Sequence, residues 1–121
     1  MTITSLAWIV LAVSAPAQTP GDTPLACNLN TLTHDERERH HKLSGKVFSA
    51  VVQRRELGDG YNFRLDPSRL SIAELGEWVG YEHRCCPFFR FRVEVDEAGN
   101  VWLALTGREG VKSFIEAEFR K

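Results

Sequence analysis

Cysteine, net charge and long apolar runs are all scarce in this 121-residue sequence, and each scarcity excludes something. Three cysteines are too few for the disulfide framework of a miniprotein, and none are spaced Cys-x-x-Cys as in ordinary structural zinc sites. The 15 Lys and Arg nearly balance the 16 Asp and Glu. No net field therefore draws the molecule onto nucleic acid or an anionic membrane. The apolar run Leu6 to Val13 falls well short of the ~20 residues that cross a bilayer. What remains is the composition of an ordinary globular domain, 43% hydrophobic and 26% charged, long enough to bury a core unaided.

Basic residues are also missing from the start of the chain. The first is Arg37, so the positively charged opening of a strong secretory signal is lacking. The apolar run is nevertheless followed by Ala15-Pro16-Ala17, which puts small residues at the two positions a signal peptidase reads. Pro16 to Pro24 is rich in Thr, Pro and Gly. Residues 1–24 read as a signal-like or disordered leader and 25–121 as a single domain. The expected location is extracytoplasmic, periplasmic or secreted; the alternative is a cytoplasmic protein with a disordered leader. Leu25-Ala26-Cys27 has the outline of a lipobox, but Pro24 stands where its large apolar residue belongs.

Local signals then divide the domain. Thr33-His34-Asp35-Glu36 is a capping box, which starts a helix expected to run to about Ala50. Its charged first half, Asp35 to Lys42, reads as a solvated face laced with i,i+4 pairs. Gly58-Asp59-Gly60 turns one strand into the alternating Tyr61 to Leu65. Ser71-Ile72-Ala73-Glu74 is a second capping box. Phe89, Phe91, Val93 and Val95 alternate with Arg90, Arg92, Glu94 and Asp96, the clearest strand in the chain. Val101 to Leu105 returns it, and after Gly107 a last helix carries Val111, Phe114, Ile115 and Phe119 inward. Tyr61, Phe63 and Leu65 match Val101, Leu103 and Leu105 at a constant offset of 40. The expected fold is α+β: an N-terminal helix and two hairpin-plus-helix units, ββα-ββα, forming a four-stranded antiparallel sheet with helices packed on one face.

Reactive groups concentrate in Glu82-His83-Arg84-Cys85-Cys86-Pro87-Phe88-Phe89. Pro87 ends the second helix, so the adjacent cysteines sit at its C-terminus. Steps of three and four back from Cys86 give Glu82, Val79, Leu75 and Ile72 as its buried stripe. A buried Glu82 needs a partner, for which Arg84, Arg90, His83 or a cation are the candidates.

The cysteines allow three arrangements. Cys27, Cys85 and Cys86 form a thiolate site for Cu(I), Zn(II) or a heavier thiophilic ion, with Glu82 or His83 completing it. Alternatively, Cys27 is disulfide-bonded to one of the two neighbours, for redox exchange or for structure alone. A Cys85–Cys86 bridge is disfavoured because adjacent α-carbons stand ~3.8 Å apart and disulfides want roughly 4.4–6.8 Å. In the third arrangement the cysteines are simply small core residues. Metal binding is the leading function and a thiol-disulfide or structural role the alternative. An enzyme is not expected, because a helix C-terminus opposes a thiolate and no Asn or Asp stands in triad order. His40 and His41 are set aside as ligands because neighbours on a helix point apart. The sheet face carrying Arg64, Arg90, Arg92, Asn62 and Trp102 reads as solvated or covered. The expected partner is a metal ion, with no nucleic acid and no stable membrane span, in a monomer or homodimer.

Leu25-Ala26-Cys27, Glu82 to Phe88 and Leu105 to Lys112 together resemble the pattern of a group of small bacterial proteins, Leu-Ala-Cys, Glu-x-x-Cys-Cys-Pro-Phe and Leu-Thr-Gly-x-x-Gly. The resemblance carries a pattern and no mechanism, and it implies that the residues before Leu25 are an addition to the domain.

Overall fold

The computed structural model describes residues 24–119; the expected leader, apart from Pro24, lies outside them. Both capping boxes form. Thr33 Oγ1 accepts from the Glu36 N–H at 3.2 Å while Glu36 accepts from the Thr33 N–H at 2.9 Å, opening α1, His34–Ala50. Ser71 and Glu74 do the same at 3.1 Å each way and open α2, Ile72–Cys85. Between them lie β1, Val51–Leu57, and β2, Gly60–Leu65; after α2 come β3, Arg90–Val95, β4, Val101–Thr106, and α3, Val111–Glu118.

The four strands form one antiparallel sheet in the order β1-β2-β4-β3, with the helices packed against it. The two strands related by the offset of 40 are thus the central neighbours. Tyr61 pairs with Leu105, Phe63 with Leu103 and Leu65 with Val101, all buried. Apolar matching across the middle of the sheet is why those two strands share one pattern. Gly60 permits their close approach, since a Cβ there would stand 1.9 Å from the Leu105 carbonyl oxygen.

The charged half of α1 makes one pair along its own helix, His34–Glu38 at 3.3 Å. Its other pairs reach across to α2: Glu36 to Arg84 at 2.6 Å, Arg39 to Glu77 at 2.9 Å and His40 to Glu82 at 2.5 Å, joined further along α1 by Lys46 to Glu74. Ascending positions on α1 meet descending positions on α2, so the helices are antiparallel. Exposed pairs of this kind add little stability each, but they fix the register that sets residue against residue at the interface.

The buried side of α2 is Leu75, Trp78, Glu82 and Cys85: Leu75 and Glu82 lie on it as expected, while Trp78 takes the place of Val79 and Ile72 is exposed. Cys86 has already left the helix, at φ −126° and ψ 68°, so counting back from it starts on a residue without helical geometry. Counting from Cys85 gives the observed set.

Candidate thiol and metal centre

The segment preceding α1 delivers Cys27 to the end of α2. The Asn28 N–H donates to the Cys85 carbonyl at 2.7 Å, Arg84 donates to the Thr31 carbonyl at 2.6 Å, and Leu32 is buried in the core. A single 3-10 turn, Leu29–Thr31, makes the bend into α1. Cys27 is disulfide-bonded to Cys86, across 59 residues of sequence and with a Cα–Cα distance of 4.6 Å. The expected convergence of Cys27 on the pair is therefore present, and Cys86 is the partner. On the other side of the pair, Phe88 and Phe89 pack edge-on against Phe114 of α3 at 5.0 and 5.6 Å, which seats the loop after Pro87.

Cys85 remains a free, fully buried thiol. As the last helical residue it turns back along α2, and its S–H donates to the Tyr81 carbonyl at 3.2 Å. The two neighbouring sulfurs accordingly serve different groups. Cys27, Glu82 and Cys86 bring one ligand atom each within 4.8 Å of one another, and so do His40, Glu82 and Cys85. Glu82 belongs to both sets. One of its oxygens lies 3.3 Å from Cys86 Sγ, a contact rather than a hydrogen bond while that sulfur is in a disulfide; the other meets His40 Nε2 at 2.5 Å.

His40 is the residue that sequence reasoning missed. The expectation that neighbouring histidines point apart holds, and it is why one of them faces inward: His41 is exposed while His40 is largely buried. A signal for it exists in the sequence. Leu43, Val47 and Ala50 form the buried stripe of α1, and three and seven residues before Leu43 the same stripe continues through His40 and Glu36. The side chains expected to partner Glu82 lie elsewhere: Arg84 pairs with Glu36, Arg90 is exposed, and His83 is exposed with its ring edge-on to Phe91 at 6.2 Å. His83 lies outside both ligand sets.

The His40 and Glu82 side chains are 14% and 12% exposed. Hydrogen bonding to Cys85, and next to Glu82, raises the His40 pKa from its ordinary 6.5 to about 9, against an opposing effect of burial. A folded-state pKa above the unfolded one stabilises the fold fully below pH 6.5, and that stabilisation is lost as pH rises through about 9. Allowing for residual solvent at the ring, we expect a loss of about 2 kcal/mol from this group between pH 6 and pH 10. Denaturant titration at both pH values checks it: His40→Gln should flatten this part of the profile, and a profile unchanged by the substitution would contradict the assignment.

The outer face of the sheet has internal partners. The Arg55 guanidinium lies over the Trp102 ring at 4.4 Å, the Trp102 indole N–H donates to Asp96 at 3.3 Å, and Arg64 donates to Gln53 at 3.2 Å. No helix among the described residues is long and apolar enough to cross a membrane. Comparison with known proteins finds no match: no family model, no curated protein and no solved structure matches the chain.

Proposed function

We propose that the protein binds a thiophilic metal ion when Cys27–Cys86 is reduced, with the Cys27 and Cys86 thiolates as principal ligands and the Glu82 carboxylate beside them. The observation that carries this reading is the placement of Glu82: it is the one charged residue among the buried described residues, and one of its oxygens lies within 4.8 Å of both sulfurs. A purely structural disulfide has no need of a buried carboxylate against its sulfur, and burying one is costly. Two thiolates and few other donors suit Cu(I) or a heavier soft ion, whereas Zn(II), the borderline candidate, needs further ligands to complete a tetrahedron. Cys85 stands on the His40 side of Glu82 and is a neighbour of this site rather than its third sulfur.

Oxidation to the disulfide would close the site and reduction would open it. An internal disulfide also fits the oxidising compartments outside the cytoplasm, which is where the apolar leader would direct the chain. Anaerobic titration of the reduced protein with Cu(I) and Hg(II) tests the proposal. One ion should bind per chain, with proton release as the thiols ionise and protection of Cys27 and Cys86 from alkylation. The disulfide form should lack this binding. Equal affinity in the reduced and oxidised forms would overturn it.

A second reading is favoured by one observation, the exposed Cys27 in a disulfide with a free thiol, Cys85, at the residue just before its partner. In that reading the protein is a thiol-disulfide exchanger, with a measurable reduction potential and no dependence on metal.

A further inference from the structure

The second ligand set is available while the disulfide is intact. His40 comes from α1, and Glu82 and Cys85 are three residues apart on the inner face of α2, with one nitrogen, one oxygen and one sulfur within 4.8 Å of one another. None of these three side chains takes part in the Cys27–Cys86 bond. Their burial is unusual for the interface they occupy. Elsewhere the buried residues of the two helices are Leu43, Val47, Ala50, Leu75 and Trp78, and a buried ion pair is often no more stabilising than apolar residues of the same volume. A thiol, an imidazole and a carboxylate thus share one buried corner that apolar residues of the same volume would fill at lower cost.

The geometry points to a second metal site, His40–Glu82–Cys85, which takes a borderline divalent ion such as Zn(II) and does so with the Cys27–Cys86 disulfide formed. The donor set argues for that class of ion. A single thiolate with one imidazole and one carboxylate is harder than a pair of thiolates, and it matches the mixed N, O and S environments that zinc accepts. Three protein ligands with a fourth position left to solvent is the arrangement of open zinc sites. Ligand atoms around a tetrahedral zinc stand roughly 3.2–3.8 Å apart, as bond lengths of about 2.0–2.3 Å require. In the present structure no pair of these ligand atoms stands farther apart than 4.8 Å, and His40 and Glu82, in contact at 2.5 Å, have to open to admit an ion. Binding exchanges protons for the ion: the Cys85 thiol and the His40 imidazolium each release one proton to solvent, and no oxidant or reductant takes part.

This inference is separable from the soft-metal reading, because it concerns the oxidised protein and a different sulfur, although Glu82 is common to both ligand sets. The experiment uses the full chain with its disulfide verified by mass spectrometry after alkylation, and cobalt(II) as a spectroscopic substitute for zinc, with Zn(II) competing it off. One equivalent of cobalt should bind, with a sulfur-to-cobalt charge-transfer band in the near ultraviolet. Cys85→Ser should abolish that band, and His40→Gln should weaken binding by roughly 100-fold or more, at least the upper end of what losing an outer-shell partner costs. Absence of cobalt binding to the oxidised protein overturns the proposal. So does binding without the sulfur band, a band that survives in Cys85→Ser, or a cobalt affinity unchanged by His40→Gln. If His40→Gln does not fold, Cys85→Ser decides alone, since serine keeps nearly the volume of the thiol and can still donate to the Tyr81 carbonyl. Failure of the reduced protein to take Cu(I) or Hg(II), alongside cobalt binding by the oxidised form, would sink the soft-metal reading and leave this one standing.

Discussion

Cys27→Ser is expected to lower the stability of the oxidised protein by about 4 kcal/mol, the chain-entropy value for a cross-link that closes a loop of this length. The loop spans 59 residues, and Cys27 is exposed, so serine there removes the bond without opening a cavity. In a domain of this size the loss corresponds to a fall in melting temperature of roughly 15–30 °C. Cys86→Ser should cost more, because Cys86 is fully buried and serine brings a hydroxyl into its pocket. A control comes from the wild type itself: in strong reductant it should melt with Cys27→Ser, since both then lack the cross-link. A variant that melts with the oxidised wild type would show that the bond contributes nothing, and a gap that persists in reductant would assign the loss to packing.

The second large effect belongs to His40. Replacing it with alanine leaves the Glu82 carboxylate between Cys85 and Cys86 with no cation in contact. Removing one member of a buried pair typically costs 3–5 kcal/mol; with both side chains slightly exposed, we expect about 3 kcal/mol. The penalty arises from the stranded charge, so neutralising it should recover stability. The double variant His40→Ala, Glu82→Gln should be more stable than His40→Ala alone, although it carries one more substitution. Denaturation of the four proteins of the cycle measures the coupling. Additive losses would mean that the two side chains stabilise the fold separately and that the 2.5 Å contact carries no energy of its own.

These two residues mark where reading the sequence succeeds and where it stops. Signals confined to a few neighbours were legible: the Thr33 and Ser71 capping boxes, the Gly58-Asp59-Gly60 turn and the alternation from Phe89 to Val95 each depend on local geometry alone. The ββα-ββα order followed, and the matching of Tyr61, Phe63 and Leu65 to Val101, Leu103 and Leu105 gave the pattern of the two strands that meet at the centre of the sheet. The partner of Glu82 depends instead on how α1 and α2 slide past one another. That register is set by Glu36–Arg84, Arg39–Glu77 and Lys46–Glu74, three contacts at sequence separations no local pattern records. Which cysteine Cys27 joins was illegible for a smaller reason. The choice turns on where the last helical residue ends and the cap begins, and that boundary falls between Cys85, directed back to Tyr81, and Cys86, rotated out toward Cys27. The same one-residue uncertainty placed Val79 and Ile72 on the buried stripe in place of Trp78 and Cys85. His83 and His40 exchanged roles for want of both facts.

X-ray absorption at the metal edge of the reduced protein loaded with one equivalent of Hg(II) tests the central claim most directly. The account predicts a first shell of two sulfurs, from Cys27 and Cys86, with a lighter oxygen at longer distance, and loss of one sulfur in Cys27→Ser. A shell without sulfur, or one unchanged by Cys27→Ser, would contradict it.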